Sequence, residues 1–514
     1  MKILALCASA VLAVGVAHAD PASVRSGAER YYEQHARELL TEFDSLLALP
    51  NHAGNRADME RNLVALESAL RKRGFEARRL EAPGAVPSLF GALPADRSKP
   101  TVLWYAHYDG QPVGTSGWNT APFEPVLERG GERVRLADAL ATLTNPRDDW
   151  RIYARSASDD KAPIVALLAA LDYLKASRTP LAVNLKVFLE GEEEIGSPNL
   201  ATIVRAHADA LTANLLLFAD GPRHQSGKPQ VVLGVRGTQG VELTLFGPAR
   251  ALHSGHYGNW APNPAARLND VLASIRAPDG RVKIAGYYDS FDRSLADRGV
   301  VADEQVEAKL RKELRLGARE HESRSLAAAV AWPAVNVVGL KSGDTGANAR
   351  NAIPVEAVAS LDFRLVPNQT PAIVRELLER HLRSLGYRVV ATRAEADAAT
   401  DREKVALLDW GDAGYSGVRV RDDQPQVKTL VDLLRQVHGE QLVVTPILGG
   451  SLPLSIFAEN SSLGAVVVLP IVNYDNNQHA PNENVTLGSL RHGIGTFALL
   501  LALLEPPPFV ATPK

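Results

Sequence analysis

An apolar run at 181–189, Leu-Ala-Val-Asn-Leu-Lys-Val-Phe-Leu, leads directly into Glu190-Gly191-Glu192-Glu193-Glu194. A run of that length and composition reads as a buried strand. Three adjacent carboxylates at the end of such a strand repel one another and are costly to desolvate. A solvated acidic loop avoids the cost; a bound cation removes it. The choice turns on what stands at the ends of the other strands. The run 101–106 ends at His107-Tyr108-Asp109-Gly110, the run 215–219 at Asp220-Gly221, and the strand at 464–469 leads on to Gln478-His479.

Between these strands lie helical patterns. Residues 31–49 and 56–73 read as amphipathic helices, the second closed by Gly74, and 164–174 carries an apolar stripe behind Pro163. Strands alternating with helices imply an α/β fold with a mostly parallel central sheet flanked by helices. In such a sheet, ligands collect at the carboxyl ends of the strands. Residues 119–150 are rich in turn formers and read as a loop or excursion. Near Gly234 the texture changes. A strand at 241–246, a polar loop at 251–264, a helix at 265–275, a charged helical stretch at 303–325, strands at 334–340 and 355–366 and a helix at 371–385 form a separate α+β domain, 235–392, inserted in the first one. The first domain then comprises 20–234 and 393–514, the second part with a helix at 426–438, a turn at Gly449-Gly450-Ser451 and a frayed tail from Pro506.

Net charge is only −3, so no basic surface argues for nucleic acid or an anionic membrane. Lys2, the apolar stretch 3–16 and Ala17-His18-Ala19 have the form of a signal peptide, 1–19, which implies export to the periplasm or the medium. The stretch is shorter than the roughly 20 residues of a membrane span, and no membrane attachment is expected after cleavage. The single cysteine, Cys7, lies inside that signal. Any metal in the mature chain must therefore be held by His, Asp and Glu.

The strand ends supply His107, Asp109, Glu192 to Glu194 and Asp220; a helix start supplies Asp159 and Asp160, and the last strand leads to His479. Each alone has an ordinary reading, as a loop histidine, an N-cap or a turn residue. Their shared position at one sheet edge is the chemistry of hydrolytic zinc or manganese sites. His107 and Asp109 are two apart and face the same side, as a metal-binding imidazole and the carboxylate that holds its other nitrogen do. Spacing alone leaves open which of Glu192, Glu193 and Glu194 has which role.

The motifs H-Y-D-G-Q-P-V (107–113), S-D-D-K (158–161), E-G-E-E-E-I-G-S (190–197), F-A-D-G (218–221), L-H-S-G-H-Y-G (252–258), R-L-V-P-N-Q-T-P (364–371), G-G-S-L-P (449–453) and H-A-P-N-E (479–483) together resemble the co-catalytic di-zinc exopeptidases and deacylases. That family includes carnosine dipeptidases, aminoacylase, glutamate carboxypeptidase and succinyl-diaminopimelate desuccinylase, and the resemblance is closest to the carnosine-dipeptidase branch. It implies two zinc ions per subunit, with manganese or cobalt as substitutes. One is held by His107 and Asp220, the other by Glu194 and His479, and Asp159 bridges them. It further implies Glu193 as general base, Asp109 orienting His107, and a cis peptide at Asp159-Asp160. His253 would reach the site across a homodimer interface made by the inserted domain. Arg364 would grip the substrate carboxylate, with Gly450 and Ser451 lining the same pocket.

Ala154, Ser156 and Ala162 stand where this branch commonly has glycine, and the segment from Pro125 to Ile152 is longer than usual. The expected activity is hydrolysis of dipeptides or short peptides, with a shared water lowered in pKa by two cations and deprotonated by Glu193. The alternatives are an N-acyl amino acid deacylase or a carboxypeptidase. Asp220, where a glutamate would be the other choice, leans towards the aminopeptidase and dipeptidase branches. An exported solute-binding protein would share the two-domain α/β architecture, yet has no use for two ligand sets with a free carboxylate between them.

Overall fold

Two sheets order the chain in the computed structural model, which describes residues 20–298, 302–321, 324–411 and 414–508. The expected signal 1–19, with Cys7, and the last residues of the tail lie outside the described residues. The larger sheet has eight strands, in the order Glu76–Leu80, Ser88–Ala92, Asn184–Glu190, Thr101–His107, Leu215–Phe218, Val466–Val468, Gln230–Val232, Val443–Thr445. Its middle is parallel: Asn184–Glu190, Thr101–His107, Leu215–Phe218 and Val466–Val468 all run the same way, with antiparallel pairs towards the edges. The middle strands are apolar on both faces because both are covered. Trp104 and Ala106 pack into one core with the helices Pro21–Leu47, Lys161–Ala176, Pro425–His438 and Leu487–Leu503. Leu103 and Tyr105, one residue out of phase, pack into a second core with Leu200–Ala206 and Leu454–Asn460. The α/β expectation is thus borne out.

The helix Pro21–Leu47 begins ten residues before the expected start, because the Asp20 carboxylate accepts the Ser23 N–H at 2.9 Å and Pro21 fills the first helical position. At its other end, the buried Lys161 ammonium donates to the carbonyls of Leu46 and Leu49, at 2.8 and 2.9 Å. These bonds tie the end of this helix to the start of Lys161–Ala176.

Residues 119–150 are more ordered than a loop. Val126–Arg129 and Glu132–Arg135 form a hairpin turning at Gly130 and Gly131, both at positive φ. The hairpin extends through Arg151–Tyr153 to Asn484–Thr486 as a separate four-stranded sheet. These short strands are mixed in charge and lack the continuous apolar run that marks Leu215–Phe218 and Val466–Val468 in the sequence.

The smaller body is built on Ala334–Lys341, Glu356–Leu365, Gly234–Phe246, Val405–Asp409 and Arg388–Val390. Glu356–Leu365 alternates half-buried and buried positions, and its buried face packs with helices Pro264–Ile275 and Pro371–Ser384. Val405–Asp409 belongs to this sheet although it lies past residue 392. Gly234–Phe246 is 13 residues long and serves both bodies. Its first residues pair with Val418–Arg419 and Leu448–Ser451, the rest with the smaller sheet. Gly449 to Ser451 therefore form strand rather than turn. The charged stretch 303–325 is helical only at Glu304–Glu313. Among the described residues, no helix is long and apolar enough to cross a membrane.

Candidate metal centre

The parallel register that aligns His107 with Glu190 brings the ends of three strands to one place. His107 Nε2 lies 2.8 Å from Asp159 Oδ1 and 3.9 Å from Asp220 Oδ2. His479 Nε2 lies 3.1 Å from the other oxygen of Asp159 and 3.2 Å from Glu194 Oε2. The two oxygens of Asp159 thus face two histidines 320 residues or fewer away in the chain, one each. Ligand atoms of His107, Asp159 and Glu194 lie within 4.8 Å of one another, as do those of His107, Asp160 and Asp220. Asp160 is partly committed elsewhere, since one of its oxygens accepts the backbone N–H of His107 at 3.2 Å. The peptide bond Asp159-Asp160 is cis.

Local hydrogen bonds separate the three glutamates. Glu192 is a structural residue: its oxygens accept the Val86 N–H at 2.7 Å and the Asn199 amide at 2.9 Å. Asp109 accepts the backbone N–H groups of Glu193 and Glu194, at 3.2 and 3.0 Å, which fixes the short 3₁₀ turn Glu193–Ile195. Asp109 also stands 3.4 Å from His107 Nδ1. Glu194 faces His479 and accepts the Gln111 amide at 2.8 Å. The Glu193 carboxylate has no hydrogen-bond partner among the described residues.

The charge balance favours a cation. Asp159, Asp160, Glu193, Glu194 and Asp220 crowd against His107 and His479. Burial pushes Asp220 up to about 6 against the pull of His107. Burial, helped by the charge of Asp159, pushes Glu194 to about 8 and raises Glu193 well above the carboxylate range. Burial opposes ionisation of Asp159 as well, but bonds to His107 and His479 hold it below the usual range. The His479 ring is raised to about 9, chiefly by its bond to Asp159. Asp220 Oδ2 is buried without a hydrogen-bond partner. Imidazole and carboxylate donors without sulfur suit zinc or manganese, so the residues fit the metals they were expected to hold.

A second group assembles on the linking strand. Arg364 donates to Ser451 Oγ at 2.9 Å and to Asp362 at 2.8 Å, while Ser451 donates to the Gly237 carbonyl at 3.2 Å. Arg236 donates to the Gly449 carbonyl at 2.8 Å, beside Gly450. Tyr415, which sequence reasoning missed, exchanges both backbone hydrogen bonds with Thr238, the residue paired on its other side with Arg364. Its phenol is raised by burial and by the charge of Glu193. Gly414 and Gly417 on either side of it were the only hint in the sequence of so close an approach. Within one chain His253 is not joined to the cluster: its ring is exposed, accepts the Gly255 N–H at 3.1 Å and lies beside His256.

A cluster of histidines and carboxylates at the carboxyl edge of an α/β sheet, with a smaller sheet bearing an arginine beside it, defines a metal-dependent hydrolase. The chain belongs to Peptidase family M20/M25/M40, whose sequence model matches residues 103–503. It is 26% identical over 436 residues to a Cys-Gly metallodipeptidase of Schizosaccharomyces pombe, covering 80% of this chain and 81% of the relative. Among solved structures, it matches an M20 family metallo-carboxypeptidase from Sulfolobus solfataricus with TM-score 0.73 and 29% identity, covering 91% of this chain and 99% of that one. Human carnosine dipeptidase 1 shares the fold with TM-score 0.69 at 20% identity, over 93% and 99% of the two chains. The expected family and the enzyme class are thus borne out, and the solute-binding alternative is set aside.

Proposed function

We propose that the protein is an exported exopeptidase that hydrolyses dipeptides or short peptides at a two-zinc centre. The observation that carries this reading is Asp159, whose two oxygens face His107 and His479 separately while Glu193 remains unengaged beside them. The family and the metallodipeptidase relative support the substrate class. Two zinc ions, when bound, would supply Lewis acidity and lower the pKa of water towards about 7. His107 and Asp220 would hold one, Glu194 and His479 the other, and Asp159 both. Glu193 accepts the proton of the attacking water and returns it to the leaving amine. The Arg364 guanidinium pairs with the substrate carboxylate, and Ser451, already bonded to it, fixes its orientation. His253 of a second subunit would supply the donor for the developing oxyanion.

Zinc analysis and a panel of dipeptides, longer peptides and N-acyl amino acids test the reading. About two zinc equivalents with turnover of dipeptides support it; a protein that binds no zinc and cleaves no dipeptide refutes it. The likeness to the Sulfolobus carboxypeptidase favours a second reading, in which residues are removed from the carboxyl ends of longer or N-blocked peptides. Preference for such substrates over free dipeptides would select it. Export rests on residues 1–19, and sequencing the mature N-terminus decides it: a chain beginning at Asp20 is expected.

A further inference from the structure

Glu483 closes the loop that carries His479, and its carboxylate is fully buried. Five hydrogen bonds converge on it. Arg155 Nη1 and the Ser156 N–H reach one oxygen at 2.8 and 2.9 Å. The Ser158 N–H, the Ser158 hydroxyl and the Asp159 N–H reach the other at 2.9, 2.8 and 2.9 Å. Arg155 alone would neutralise the charge. The other donors come from consecutive turns of one backbone segment, and the last of them is the amide of Asp159 itself.

The loop on the other side is equally tied. The Asn484 N–H donates to the Asn476 carbonyl at 2.8 Å, and the Asn477 amide to the Asn482 carbonyl at 3.3 Å, so His479 hangs from a closed ring of backbone anchored at Glu483. Ser156 sits at φ 60, in the left-handed region that favours glycine. It is held there by its bond to Glu483 and by the Asn51 amide, which donates to its hydroxyl at 2.9 Å. The serine at this glycine position is therefore part of the same clasp.

We propose that Glu483 is a positioning residue that sets Asp159 and His479 in register before metal arrives, so that the affinity of both metal positions depends on one carboxylate. The inference rests on reading the cluster as a two-metal centre. The test is zinc affinity of the metal-free protein, measured by competition with a chromophoric chelator. Glu483→Gln, which keeps the volume but turns an NH2 group against at least two of the donors, is expected to weaken both zinc equivalents by about 10–100-fold. Excess zinc is then expected to restore turnover at unchanged KM. Ser158→Ala removes one hydroxyl donor and leaves the Arg155 ion pair intact; it is expected to weaken zinc binding about 2–10-fold, and it decides the matter if Glu483→Gln does not fold. Zinc affinity within twofold of the unmodified protein in Glu483→Gln, or in Ser158→Ala where that variant alone folds, overturns the inference and leaves the proposed function standing. An unmodified protein that binds no zinc overturns both.

Discussion

Glu192, Glu193 and Glu194 are chemically identical neighbours, yet backbone contacts give them three different tasks. Val86 and Asn199 hold the first, His479 and Gln111 the third, and the second is left to ionise or to carry a proton. Glu193→Ala is therefore expected to retain both zinc equivalents while losing about 10²–10⁴-fold in kcat, measured by metal analysis beside steady-state kinetics. A variant of near-normal turnover would assign the base elsewhere. Arg364→Ala is expected to lower kcat/KM by about 10–100-fold, mainly through KM, and only for substrates with a free carboxylate. The residue types at the site were legible because His and acid side chains at the ends of apolar strands have few other uses. The division of labour was not, because it depends on a single 3₁₀ turn and on which amides Asp109 happens to accept. Glu483 stood in a quoted motif, but nothing in a string of letters reveals that five donors point at it.

At the level of elements, legibility followed the clarity of the apolar pattern. The central strands Thr101–His107 and Asn184–Glu190 and the helices Lys161–Ala176 and Pro425–His438 were readable because each has seven or more residues of clear pattern. The hairpin Val126–Arg129 with Glu132–Arg135 was not, since its registration comes from partners far along the chain at Asn484–Thr486. The strand Ala334–Lys341 lies at the edge of the smaller sheet and exposes Val337, Val338 and Leu340. An apolar sheet edge of this kind invites pairing with a second chain. If it carries the homodimer, Val338→Asp combined with Leu340→Asp yields a monomer in sedimentation. Activity should then fall together with dimer content, as His253→Ala should lower it without altering the mass.

At the scale of the whole molecule, the cluster makes stability depend on pH in a direction that metal opposes. In the metal-free state, Glu194 at about 8, Asp220 at about 6 and His479 at about 9 all lie above their ordinary values. Through these three groups the folded chain binds more protons than the unfolded one, and their contribution to stability falls as pH rises through these values; the buried Lys161, pushed down to about 7, opposes them in part above that pH. The melting temperature of the metal-free protein is expected to drop by at least about 2–4 °C between pH 5 and pH 9. Zinc, which binds the deprotonated ligands, should flatten that slope and raise the melting temperature throughout. A metal-free protein that becomes more stable towards pH 9 would contradict the charge arrangement described.

The strand Gly234–Phe246 has a mechanical consequence. Both crossings between the two bodies are knitted together, the outgoing one by this strand and the returning one by Val418–Arg419 paired along it. Among the described residues, relative movement of the two bodies therefore has to twist paired backbone along this strand.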